Sequence, residues 1–139
     1  ENEIEIGKGV VLREGSDVAI IACGVLVHES LEAAEKLSAE GINATVVDMH
    51  TIKPLDTDLI DSLAQKCGAI VTAEDHSVIG GLGGAVAEHV VSSTPVPIEK
   101  IGVKDRFGES AGAEEMLEMM GLKSHHICDA VKNVIARKV

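Results

Sequence analysis

The chain has 139 residues, 45% of them hydrophobic, and a formal net charge of −11. That length suits about one domain with a core of its own, and the acidic balance argues against nucleic acid and anionic membrane surfaces as partners. Phe107 is the sole aromatic, so base-stacking platforms are absent and the core must be built from Val, Ile, Leu, Ala and Met. The three cysteines, Cys23, Cys67 and Cys128, are widely spaced and odd in number, as in a cytoplasmic protein with reduced thiols. No apolar run is long enough to cross a bilayer as a helix. No signal peptide is visible, and the chain starts at Glu1 rather than Met, which reads as a piece of something longer.

Residues 1–6 alternate charge with Ile4 and Ile6 and read as a lead-in arm or weak edge strand, the arm reaching about residue 8. Residues 10–12 form a short strand, ended by the turn chemistry of residues 14–17. Residues 18–22 are a second, buried strand closed by Cys23-Gly24. A helix spans about 27–40, with Leu31, Ala34 and Leu37 on one face and Glu29, Glu32, Glu35 and Lys36 elsewhere. Gly41 stops it. Residues 44–47 are a β-branched strand. Asp56 caps a helix over about 57–66, with Leu55 and Ile60 at the spacing of a hydrophobic staple.

Gly68 ends that helix, and residues 69–73 read as a strand buried on both faces. Glu74, Asp75 and His76 come where the strand runs out, and Gly80, Gly81, Gly83 and Gly84 lead into a helix over about 83–91. Residues 98–103 are the last strand, and 104–110 a polar loop carrying Arg106 and Phe107. A short helix covers 114–120. Ser124 caps a final one striped by Ile127, Val131, Val134 and Ile135. Strands alternating with helices imply a single α/β domain over residues 1–139, its mainly parallel sheet covered on both sides.

The unit at 69–88, strand, polar tip, glycine turn and helix, is the most function-like stretch, because contacts collect beyond the carboxyl ends of parallel strands. The glycines match neither the dinucleotide fingerprint nor a P-loop. They either expose backbone N–H groups as an anion site or simply let the chain turn and pack tightly. Glu74 and His76 read equally as a general acid/base pair or as a structural pair, since no nucleophile or cofactor motif accompanies them. His125 and His126 with Cys128 match no standard zinc spacing, so no metal site is assigned. Arg106 with Phe107 is a candidate contact point, since Arg and aromatic residues dominate interface anchors.

Four phrases together resemble the C-terminal domain of transketolase and its relatives. They are Asp17-Val-Ala-Ile-Ile-Ala-Cys-Gly24, Ile52-Lys-Pro-Leu-Asp56, Thr72-Ala-Glu-Asp-His76 with Gly80-Gly-Leu-Gly83, and Gly102-Val-Lys-Asp-Arg-Phe-Gly-Glu-Ser110. Ala111 departs from the glycine that often follows the serine. The resemblance implies a three-layer α/β/α fold with a five-stranded sheet, one strand antiparallel. It further implies a parent enzyme of pentose phosphate metabolism that moves a two-carbon ketol unit between phosphosugars, using thiamine diphosphate and a divalent metal, Mg. Two other domains, binding the diphosphate and the pyrimidine, carry the cofactor across a homodimer. This domain would pack on them, bind no cofactor or metal itself and be inactive alone.

No catalytic residue is assigned. Glu74, His76, Gly80, Gly81, Arg106, Phe107 and Ser110 are the candidate contacts with those domains, His76 the best placed toward the active site. A 2-oxoacid dehydrogenase E1 β subunit and deoxyxylulose-phosphate synthase end in a similar domain, but the 104–110 loop favours transketolase. A free-standing interaction module and an anion-binding regulatory domain are the readings from outside that superfamily.

Overall fold

The computed structural model describes the backbone of residues 6–77, 81–103 and 113–138, and the side chains of the same residues except 76, 77, 103, 113 and 114. The elements follow as β1 (Val10–Arg13), β2 (Val18–Ala22), α1 (Leu26–Ala39), β3 (Ala44–Asp48), α2 (Thr57–Cys67), β4 (Ile70–Ser77), α3 (Leu82–Ser92), β5 (Ile98–Val103), α4 (Ala113–Met119) and α5 (Ser124–Ala136). They build a five-stranded sheet in the order β1-β3-β2-β4-β5. β1 runs antiparallel to β3, and the other pairs are parallel. The mixed sheet is the one the sequence reading expected.

β2 is the centre because its five residues, Val-Ala-Ile-Ile-Ala, have no accessible surface at all. Side chains alternate across a strand, so Ile20 joins one core and Ile21 the other. The first core is closed by α1 and α5, through Leu26, Leu37, Ile127 and Val131. The second is closed by α2 and α3, through Ile60, Leu63, Leu82 and Val86. Each such buried aliphatic side chain contributes roughly 1.5–3 kcal/mol. α2 begins where the sequence said, with Asp56 Oδ1 accepting the Leu59 N–H at 3.2 Å. Asp56 Oδ2 also accepts the Gly9 N–H at 2.8 Å, fastening the start of the chain to the same cap. Gly68, at φ 72°, takes the left-handed conformation that stops α2.

Three local expectations are corrected. β4 does not end at Ala73 but continues through Glu74, Asp75 and His76, because beyond a bulge it pairs again with β5, Ser77 opposite Val103. Glu29 is not on a solvated face: it is buried, and its Oε1 accepts the Ser124 N–H at 2.8 Å. Ser124 is accordingly not the cap of α5. Lys123 holds that position, and the Ser124 hydroxyl accepts from Lys36 Nζ at 2.8 Å. Of the lead-in arm, residues 1–5 lie outside the described residues, and Ile6 is exposed.

Candidate functional site

β2 and β4 are neighbours at the middle of the sheet. β2 leads into α1 on one face and β4 into α3 on the other. The carboxyl ends of these two strands are therefore the topological switch point, where open α/β sheets place their ligands. Cys23 and Gly24 stand at the end of β2, Asp48 at the end of β3, and Glu74 and Asp75 in the second half of β4.

Glu74 has no accessible surface. Its Oε1 accepts the Leu82 N–H and its Oε2 the Gly83 N–H, each at 2.7 Å. The carboxylate thus fills the start of α3, satisfying two donors that a helix leaves unpaired and complementing the positive end of its dipole. The glycine turn is consequently not an open anion site at these two N–H groups. Gly81 is the residue before the helix, with extended backbone. Gly83 lets α3 lie close on the sheet: a Cβ there would come 2.8 Å from Thr72 Oγ1 and 3.1 Å from the Lys100 chain.

Gly24, at φ 64°, brings the chain past Asp75, whose Oδ1 would lie 3.0 Å from an added Cβ. Burial, then the charges of Glu74, Asp75 and Asp48, push the Cys23 thiol up to about 11. It is therefore protonated at neutral pH and a poor nucleophile or metal ligand.

Of the sequence candidates, Glu74 and Gly81 meet at the start of α3. His76 belongs to β4, while its side chain, with Gly80, Arg106, Phe107 and Ser110, lies outside the described residues. Two clusters were missed, each joining side chains from separate helices. Asp61 of α2 takes His89 Nε2 at 2.8 Å and the Ser93 hydroxyl at 2.7 Å, both near α3's C-terminal end. The Ser93 and His89 hydrogen bonds hold its carboxyl below the usual carboxylate range. Ser93 donates to the acid and not to the imidazole, so this is a clamp between helices and not an activated nucleophile.

Glu118 of α4 meets His125 and His126 of α5, with its Oε1 2.9 Å from His125 Nε2 and its Oε2 3.7 Å from His126 Nε2. Cys128, which the sequence set beside these histidines, is buried with its S–H toward the Ala33 carbonyl at 3.6 Å. Spacing along the chain could not reveal Glu118, because it is the turn at Gly121 that brings the end of α4 beside the start of α5.

The parallel sheet with one antiparallel edge, helices on both faces and a helix start at the switch point capped by the chain's own carboxylate define a three-layer α/β domain. Residues 7–127 match the family described as transketolase, C-terminal domain, and the chain belongs to that family. It is 46% identical over 137 residues to a 6-deoxy-6-sulfo-D-fructose transketolase subunit of Clostridium sp. (strain MSTE9), covering 99% of this chain and 42% of that one. It is equally 46% identical over 136 residues to a 1-deoxy-D-xylulose-5-phosphate synthase of Trichormus variabilis, covering 97% of this chain and 21% of the synthase. A solved structure, described as a split gene transketolase in an inactive beta4 tetramer, superposes with a TM-score of 0.96 at 48% identity, covering 99% of this chain and 45% of that one. The chain therefore spans less than half the length of these relatives.

Proposed function

We propose that residues 1–139 are the C-terminal domain of a transketolase that moves a two-carbon ketol unit between phosphosugars. In this reading the domain packs on the diphosphate- and pyrimidine-binding domains of its enzyme and supports a homodimer, and the catalytic centre lies elsewhere. The observation that carries it is the sealed start of α3. The sheet's usual ligand position is taken by Glu74, with both oxygens bound to backbone N–H groups.

Thiamine diphosphate and Mg do not fit the described residues. Glu74 and Glu29 already fill the starts of α3 and α5, and the net charge of −11 opposes a diphosphate. The other domains would hold the coenzyme. His76, Gly80, Gly81, Arg106, Phe107 and Ser110 remain the proposed contacts toward them. Glu74 serves indirectly, by tying β4, which carries His76, to the start of α3 beside Gly81. An open apolar cleft beside Val91, which is 71% exposed, gives such packing a surface. The three free, buried cysteines support a cytoplasmic setting, and among the described residues no helix is long and apolar enough to cross a membrane.

The synthase match at the same 46% identity keeps a second reading, a deoxyxylulose-phosphate synthase parent. Assaying the parent protein for ketol transfer between phosphosugars and for deoxyxylulose-phosphate formation separates the two. Calorimetric titration of this chain alone with thiamine diphosphate and Mg²⁺ tests the domain role. No saturable binding and no turnover are expected. Micromolar binding by the chain alone would overturn it.

A further inference from the structure

We propose that Glu118, His125 and His126 form a surface site for one divalent transition-metal ion of the zinc type, held across the junction of α4 and α5. Each of these residues offers a ligand atom, and the three atoms lie within 4.8 Å of one another. Two imidazoles and a carboxylate are a donor set zinc accepts, with metal–ligand distances of about 2.0–2.2 Å and a fourth position left to water. Tetrahedral bonds of that length put ligand atoms about 3.4 Å apart. His125 and His126 stand 2.9 Å and 3.7 Å from the two Glu118 oxygens. Movements of about 1 Å or a little more complete the geometry. The Glu118 and His125 side chains are 55% and 51% exposed, so they are free to make them.

One feature opposes the ion. His126 Nδ1 accepts the Lys123 N–H at 3.1 Å, which places the ring proton on Nε2. Ligation through Nε2 therefore takes the other tautomer and gives up that bond. The cost is that hydrogen bond, with the Lys123 N–H then facing a ring N–H until the ring turns away. The Lys123 ammonium is drawn instead toward Glu29, 3.9 Å away. An ion here would fasten α4, only seven residues long, to α5, whose inner face belongs to the core.

Titration of the full chain with Zn²⁺ by calorimetry, and with Co²⁺ followed by its visible d–d absorption, tests the site. One ion per chain is expected. Affinity should fall at least about tenfold in each of His125→Ala, His126→Ala and Glu118→Gln, by analogy with the 10–100-fold cost of losing even a supporting partner of a metal ligand. His28→Ala and His89→Ala should bind as the unaltered chain does. Circular dichroism confirms that His125→Ala, an exposed position, remains folded. No saturable binding, or equal binding by His125→Ala and the unaltered chain, overturns the proposal.

Discussion

Replacing Glu74 by Gln keeps the size of the side chain and removes its charge. In the native arrangement both carboxylate oxygens are acceptors, one for Leu82 N–H and one for Gly83 N–H. An amide offers one oxygen and sets its NH₂ against the other backbone donor. The residue has no accessible surface, so water does not replace the lost partner. Losing one charge-assisted bond and leaving one buried N–H unpaired costs about 2–4 kcal/mol. That is a large share of the roughly 5–15 kcal/mol that holds a domain together. With a urea slope of about 1.5 kcal/mol/M, the unfolding midpoint should drop by about 1–3 M at unchanged slope. A midpoint within about 0.3 M of the unaltered protein would refute the reasoning, because it would mean the carboxylate is not what satisfies the start of α3.

Two adjacent glycines in α3 give opposite signs. Gly83→Ala places a methyl 2.8 Å from Thr72 Oγ1, in a buried strand that cannot retreat, although the nearby Lys100 chain can move. The clash, about 1–3 kcal/mol, should outweigh the helix-propensity gain of about 1 kcal/mol. Gly84→Ala meets nothing within 4 Å and should stabilise by about 0.4–1 kcal/mol; thermal unfolding of the pair checks both. Cys23 gives a pH prediction. Its pKa rises from 9.0 to about 11 on folding, so the folded chain holds the proton longer. Stability from this group is intact below about pH 9 and is lost as pH rises toward 11. Iodoacetamide at pH 8 should leave Cys23 unmodified in the native chain and label it fully in urea, as read by mass spectrometry. Labelling at equal rates would contradict the burial.

Much of the fold was legible because its signals are local. The run Val18 to Ala22 has no polar residue and became the central strand. Asp56 capped α2 and Gly68 ended it, as side-chain chemistry and a left-handed glycine require. The antiparallel β1 was not readable from pattern, since alternation does not encode direction; it came with the family resemblance. The candidate site was less legible for a single physical reason. Glu29 and Glu74 look like surface acids when taken with their sequence neighbours, yet each neutralises the start of a helix 95 and 8 residues further on. Burial of a charge depends on the partner that folding brings to it, and the sequence does not display that distance. Asp61 with His89, and Glu118 with His125, were overlooked for the same reason.

The capping of α3 from within β4 has a consequence for any phosphate chemistry nearby. A bare helix start at a sheet's switch point is a resting place for phosphate, and a domain carrying one would hold phosphate there. By supplying its own anion to Leu82 and Gly83, this chain closes those two donors to any phosphate from outside.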